Sequence, residues 1–185
     1  MLYCRIVQLL LISTIKEEVM EVQKNYILNK AAANKKLQRM AYEILENNAG
    51  EAGIILAGIR ESGSVMARNI QQLLGQIGDI PTKIITISLD KKMPAAVTLS
   101  GNEDFTDKVV IVIDDVANSG KTMLYAMKPF LEYYPKKIQT LVLVERSHKA
   151  FPVKPDYVGL SISTTLLEHI YVEADGEEII GAYLV

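Results

Sequence analysis

The stretch Val109-Val110-Ile111-Val112-Ile113-Asp114-Asp115-Val116-Ala117-Asn118-Ser119-Gly120-Lys121-Thr122 decides the fold of this 185-residue chain. Its opening run of β-branched residues reads as a strand buried on both faces, because a half-exposed strand would alternate apolar with polar positions. Adjacent acids then close the run, and a short polar turn with one glycine leads into a helix. Carboxylates and free backbone N–H groups therefore meet at the carboxyl end of a strand. Such a place holds a sugar by its hydroxyls, and a phosphate by the turn and the helix N-terminus. Gly120 lets the backbone approach an anion, Ser119 and Thr122 bring hydroxyls, and the helix dipole adds favourable charge. Gly120-Lys121-Thr122 also resembles the end of a Walker loop. That motif needs a glycine five residues before the glycine of its Gly-Lys pair, and Asp115 stands there, facing any phosphate with a carboxylate.

Outward from this stretch, Gly53 to Ala57, Lys83 to Leu89, Gln139 to Glu145 and Tyr157 to Ile162 are predicted as strands. Asn29 is placed to cap a helix in which Leu37, Met40, Ala41, Ile44 and Leu45 recur at helical spacing, ended by Asn47-Asn48-Ala49-Gly50. Gly58 to Gly63 reads as a loop and Ser64 to Leu74 as a second helix. Asp175-Gly176 separates Ile170 to Glu173 from Glu178 to Leu184, as in a hairpin. Asp90 to Thr106 lacks periodicity, and a loop of that length in a compact domain is functional or disordered. Strands that are apolar throughout and alternate with helices specify an α/β fold with a mainly parallel sheet flanked by helices. In such sheets ligands bind beyond the carboxyl ends of the strands, which points to the loops after Ala57, Leu89 and Ile113.

The bulk composition narrows the function classes. Hydrophobic residues make up 49% of the chain, and 20 basic residues against 22 acidic ones leave a net charge of −2. This is a globular chain without the charge signature of a nucleic-acid or membrane-surface binder. The single cysteine, Cys4, allows no internal disulfide and suggests a cytoplasmic setting. With that cysteine and two histidines, a structural zinc site is not expected. Leu2 to Ile15 is apolar apart from Cys4, Arg5, Gln8, Ser13 and Thr14, but shorter than the roughly 20 residues that span a bilayer, and no small-x-small cleavage site follows. Residues 1–20 are read as an extension, either an extra packed segment or a start set too early with Met20 as the true one. Residues 21–185 are read as a single domain.

The segment Val110 to Thr122 resembles the signature of the type I phosphoribosyltransferases: an apolar strand, two acids, a few small or apolar residues, then a Ser/Thr-Gly-x-Thr turn. From about Tyr26 onward the chain is similar to the subfamily of bifunctional pyrimidine-operon attenuators and uracil phosphoribosyltransferases. The similarity is carried by Ile55-Leu56-Ala57-Gly58-Ile59, Leu141-Val142-Leu143-Val144-Glu145-Arg146-Ser147-His148 and Pro155-Asp156-Tyr157-Val158-Gly159. The resemblance implies a small C-terminal hood beside the main sheet. It implies that Asp114 and Asp115 bind the ribose hydroxyls of phosphoribosyl pyrophosphate, and that Ala117, Asn118, Ser119, Gly120, Lys121 and Thr122 cradle its 5-phosphate. Arg60, Glu61, Ser62 and Gly63 match the pyrophosphate loop. Arg60 stands where the subfamily has lysine, and Glu61 replaces a small hydroxyl residue. Asp90 to Thr106 corresponds to the catalytic lid, whose Tyr-Arg-Asp-Asp opening is replaced by Ser88-Leu89-Asp90-Lys91. Lys91 is then the lid's candidate catalytic cation, beside Asp115 as the catalytic acid. Base recognition falls to Tyr157, Val158 and Gly159, although Tyr157 reads equally as a core aromatic. Glu145, Arg146 and His148 read equally as a salt-bridged turn and as substrate ligands.

The implied reaction is transfer of the phosphoribosyl group to a nucleobase, uracil first, with Mg²⁺ carried on the diphosphate and no metal ligand assigned to the protein. Alternatives are a hypoxanthine-guanine enzyme, which Gly120-Lys121-Thr122-Met123 also resembles, a non-catalytic phosphoribosyl pyrophosphate sensor, and an RNA-binding regulator. RNA is the less favoured partner: Gln38 and Tyr42 stand where the subfamily carries threonine and histidine, and Leu160 where it carries lysine. The family resemblance also implies a homodimer or larger homo-oligomer, with the stripe of the first helix and the N-terminal extension as candidate contacts.

Overall fold

The computed structural model describes residues 24–90, 94, 96–165 and 168–185. In chain order the elements are β1 (Asn25–Asn29), α1 (Lys30–Asn47), β2 (Ile54–Ile59), α2 (Arg60–Ile77), β3 (Thr82–Leu89), β4 (Val97–Leu99), β5 (Val109–Ala117) and α3 (Lys121–Ala126). A 3₁₀ turn (Lys128–Glu132), β6 (Lys137–Arg146), β7 (Tyr157–Ile162), β8 (Ile170–Asp175) and β9 (Glu178–Leu184) complete the chain. The main sheet has six strands in the order β4-β3-β2-β5-β6-β7, parallel except for the short edge strand β4. β5 lies inside it, buried from Val109 to Asp114, as its run of β-branched residues requires. One sheet face carries α1, α2 and the hood. The other carries α3 and the 3₁₀ turn, where Phe105 and Phe130 meet edge to face with ring centroids 4.9 Å apart.

The hood is a three-stranded antiparallel sheet, β1-β9-β8, so the first described strand joins the C-terminal hairpin. α1 begins where Asn29 Oδ1 accepts the Ala32 N–H at 2.8 Å. Its apolar stripe, read as a candidate oligomer contact, faces inward: Leu37, Met40, Ala41 and Ile44 are all buried in the domain's own core. The N-terminal extension, the other candidate contact, lies outside the described residues. Two further expectations are corrected. Gly58 to Gly63 is not a loop, since β2 runs to Ile59 and α2 starts at Arg60. Within Asp90 to Thr106, Val97–Leu99 pairs antiparallel with β3. No helix among the described residues is long and apolar enough to cross a membrane.

Candidate functional site

The carboxyl ends of β2 and β5 are neighbours, with Gly58 opposite Ile113. Each strand turns directly into a helix there. Asp114 is 2% exposed and accepts the Asp115 N–H on Oδ1 at 3.0 Å, and Asp115 accepts the Val116 N–H on Oδ1 at 2.9 Å. These bonds fix both carboxylates against the strand end. Gly120 caps α3 with φ of 79°, a left-handed conformation that glycine adopts without strain. The Ser119 carbonyl accepts the Phe151 N–H at 3.0 Å, so the segment after β6 braces this turn. Asn118 and Ser119 are exposed, while Ala117 and Gly120 are buried.

The β2–α2 junction is tight, and Arg60 takes φ of 54° there, a strained value for a residue with a side chain. Arg60, Glu61 and Ser62 line a cavity of about 600 Å³ with Thr86 and Ser88 of β3. Gly63 is buried and serves by packing. Sequence reasoning missed Arg68, two turns along α2, which lines the same cavity and pairs through Nε with Glu177 Oε1 of the hood at 3.1 Å. Lys91 lies outside the described residues.

The structure does not bring Tyr157, Val158 and Gly159 to this site. Tyr157 is 1% exposed in the core, and its hydroxyl accepts a bond from the Asn48 amide at 3.4 Å. Burial pushes the Tyr157 hydroxyl above its usual range. Arg39 donates to the Val158 carbonyl at 2.6 Å, which engages a backbone group that a base would have used. Gly159 is buried with its α-carbon against the Leu143 carbonyl. In the edge strand, Tyr157 and Gly159 are buried and Val158 is partly so.

A second cavity, about 720 Å³, opens beside the Asn118-Ser119 turn. It is lined by Asn118 and Ser119 on one side, Arg146, His148 and Lys149 after β6, and Thr164, Thr165 and His169 ahead of β8. Glu145 and Lys149 form an ion pair with both side chains largely buried. The Glu145-Arg146-Ser147-His148 run thus divides its two readings: Glu145 is salt-bridged, and Arg146 and His148 face a cavity. Nothing in the ordinary polar run Ser163-Thr164-Thr165 marked the opposite wall.

The Phosphoribosyl transferase domain family matches residues 23–176. The Bifunctional protein PyrR of Oceanobacillus iheyensis is 36% identical over 176 residues, spanning 87% of this chain and 98% of that protein. The Bifunctional protein PyrR of Staphylococcus saprophyticus is 37% identical over 161 residues, spanning 82% of this chain and 92% of that protein. Among solved structures, a hypoxanthine-guanine phosphoribosyltransferase from Bacillus anthracis matches with a TM-score of 0.69 at 21% identity, over 88% of this chain and 97% of that one. The hypoxanthine phosphoribosyltransferase of Trypanosoma cruzi matches with a TM-score of 0.70 at 14% identity, over 85% and 95%. These two structures share the fold.

Proposed function

The chain belongs to the phosphoribosyltransferase family, and on that premise we propose that it transfers the phosphoribosyl group of phosphoribosyl pyrophosphate to a nucleobase, uracil before the purines. One observation carries the reading: the Asp114-Asp115 pair and its phosphate turn stand next to the Arg60 turn, at the adjoining ends of two parallel strands. A sugar phosphate that also bears a diphosphate needs these two anion sites with hydroxyl acceptors beside them.

In this reading Asp114 and Asp115 orient the ribose, Ala117 to Thr122 hold the 5-phosphate, and Arg60 and Ser62 receive the diphosphate. The bond between the anomeric carbon and the diphosphate oxygen breaks as the base nitrogen bonds to that carbon. Positioning and neutralisation of the leaving charge supply the acceleration. Lys91 is the lid cation, and the lid excludes water. Mg²⁺ fits as an ion borne by the diphosphate, because it keeps waters and substrate oxygens and takes only one or two carboxylates. Among the described residues no group of three or more His, Cys, Asp or Glu side chains is disposed as a metal cage. Glu61 lines the Arg60 cavity, where its carboxylate would help hold such an ion. When bound, the ion neutralises charge on the leaving group. The base enters the cavity between Arg146 and Thr164 in place of the Tyr157 segment.

The test is diphosphate release from phosphoribosyl pyrophosphate and Mg²⁺ with uracil, hypoxanthine, guanine or no base. Turnover with uracil is expected. Turnover with a purine alone would make it a purine enzyme, and tight phosphoribosyl pyrophosphate binding without turnover would make it a sensor or regulator.

A further inference from the structure

Three tyrosines stand side by side on the outer face of the hood. Tyr26 of β1 is in register with Tyr183 of β9, and Tyr183 with Tyr171 of β8. The Tyr171 and Tyr183 rings stack with centroids 5.6 Å apart, and the Tyr26 ring tilts against Tyr183 at the same separation. Their neighbours Leu28, Ile170 and Ala182 are buried in the core, so the tyrosine ladder points away from it. Tyr26 is 49% exposed and Tyr171 46%. The polar atoms are engaged at one edge, where Glu173 accepts from the Tyr26 hydroxyl at 2.6 Å and from Lys24 Nζ at 2.8 Å. What remains on offer is aromatic ring surface, which tyrosine characteristically presents at interfaces. None of the three tyrosines lines either cavity described above.

The chain carries its own cover for this face. Residue 24, the first described one, already lies on the ladder, with Lys24 Nζ 4.7 Å from the Tyr183 ring centroid. The chain ahead of it therefore joins the hood at this face. The family match begins at residue 23, so transfer chemistry leaves the preceding segment unexplained. In that segment Leu9, Leu10, Leu11 and Ile12 follow one another without a polar break. Such a run exposed to water is an association hazard, and so is an open aromatic face. Residues 16–23 join the run to the ladder and reach up to about 28 Å when extended. Three paired strands are only about 10 Å across, so this connector is long enough to bring the run back over all three rings. We infer that residues 2–15 pack on the Tyr26-Tyr183-Tyr171 ladder of their own chain, closing the outer face of the hood and burying both apolar surfaces together.

Cys4 is the only cysteine and lies in this segment, so its alkylation by iodoacetamide in the full chain reports on the cover. It is expected to react at least about 10-fold more slowly than in a free peptide of residues 1–20, and to approach the peptide's rate in Tyr171→Ser, as loss of an interface aromatic predicts. Hydrogen exchange of the β9 amides checks that the hood stays folded in that variant. A second full-chain variant, Leu10→Asp, leaves the hood's own residues untouched. In it, nitration of Tyr171 by tetranitromethane is expected to quicken. Cys4 reacting at the peptide's rate in the wild type, or an unchanged Cys4 rate in a folded Tyr171→Ser, overturns the inference. Unchanged Tyr171 nitration in Leu10→Asp overturns it as well, and decides alone where Tyr171→Ser unfolds the hood. Shielding of Cys4 that grows with protein concentration assigns the ladder to a second copy. Shielding that appears only with phosphatidylglycerol vesicles assigns the segment to a lipid surface. Either result overturns packing within one chain.

Discussion

Gly63 in the first turn of α2 lies so close to Ile113 of β5 that a β-carbon on it would overlap the Ile113 carbonyl oxygen. Ile113 immediately precedes Asp114. Nearby, a β-carbon on Gly58 would stand 2.6 Å from the Ser64 α-carbon. These close approaches hold the Arg60 turn against the acid pair. Gly63→Ala is therefore expected to cost about 1–3 kcal/mol of stability, the usual penalty of overpacking against a site that cannot yield. It should also weaken phosphoribosyl pyrophosphate binding, because it separates the two anion sites. Urea denaturation and calorimetric titration check both parts, and a variant with wild-type values in each would refute this packing role.

Arg60 poses the opposite trade. Its left-handed backbone stores strain on the order of 1 kcal/mol, which glycine would relieve. Arg60→Gly is expected to keep or slightly raise Tm while diphosphate-dependent affinity falls. Arg60→Lys keeps both the strain and the charge, and should bind nearly as the wild type. A glycine variant that binds phosphoribosyl pyrophosphate normally would remove Arg60 from the anion site.

For Asp115 the prediction concerns charge. Its Oδ1 accepts the Val116 N–H, an interaction that an asparagine oxygen preserves. Asp115→Asn should therefore fold with an unchanged circular-dichroism melt and still lose turnover, since the carboxylate that orients the ribose is gone. Normal turnover in that variant would sink the assignment.

Tyr157 is expected to matter for stability alone. Removing a buried aromatic of this size costs about 3–5 kcal/mol, so Tyr157→Ala should melt far earlier. Tyr157→Phe removes only the hydroxyl that meets Asn48, and should leave the KM for the base unchanged. A raised KM in Tyr157→Phe would return this residue to base binding.

The parts of the molecule legible from sequence were those with local causes. β5 shows because β-branched residues follow one another without a polar break, the phosphate turn because a glycine and two hydroxyl residues follow two acids, and the hairpin because Asp175-Gly176 interrupts two apolar runs. Gly58 to Gly63 misleads because its glycines suggest a loop, whereas they are there to let a helix cross a strand closely. For Gly63 that cause lies 50 residues away, at Ile113. Tyr157 is ambiguous alone, and the contact that favours its core reading comes from Asn48, 109 residues earlier. Thr164 carries no local signal at all, since it matters only as part of a cavity that several distant segments build.

The Thr165–Glu168 contact gives the cavity lined by Arg146, Thr164 and Thr165 a pH limit of known sign. The Thr165 backbone N–H donates to Glu168 Oε2 at 2.7 Å and its hydroxyl at 2.9 Å. The backbone bond first, then the hydroxyl bond, hold the Glu168 carboxyl below its ordinary value, with the Arg146 charge adding to them. A carboxyl lowered by folding stabilises the native state above its unfolded pKa, and the contribution is lost as pH falls through the folded value. The order of Thr165, and with it the segment carrying Thr164, should therefore persist through neutral pH and fade only in the acid range, as pH falls past the ordinary glutamate range to the lowered folded value. Hydrogen exchange at the Thr165 amide across that range reads this directly. Glu168→Gln keeps an acceptor but cannot ionise, so its exchange should lose the acid-range step. A step that persists unchanged in Glu168→Gln would assign it to another group.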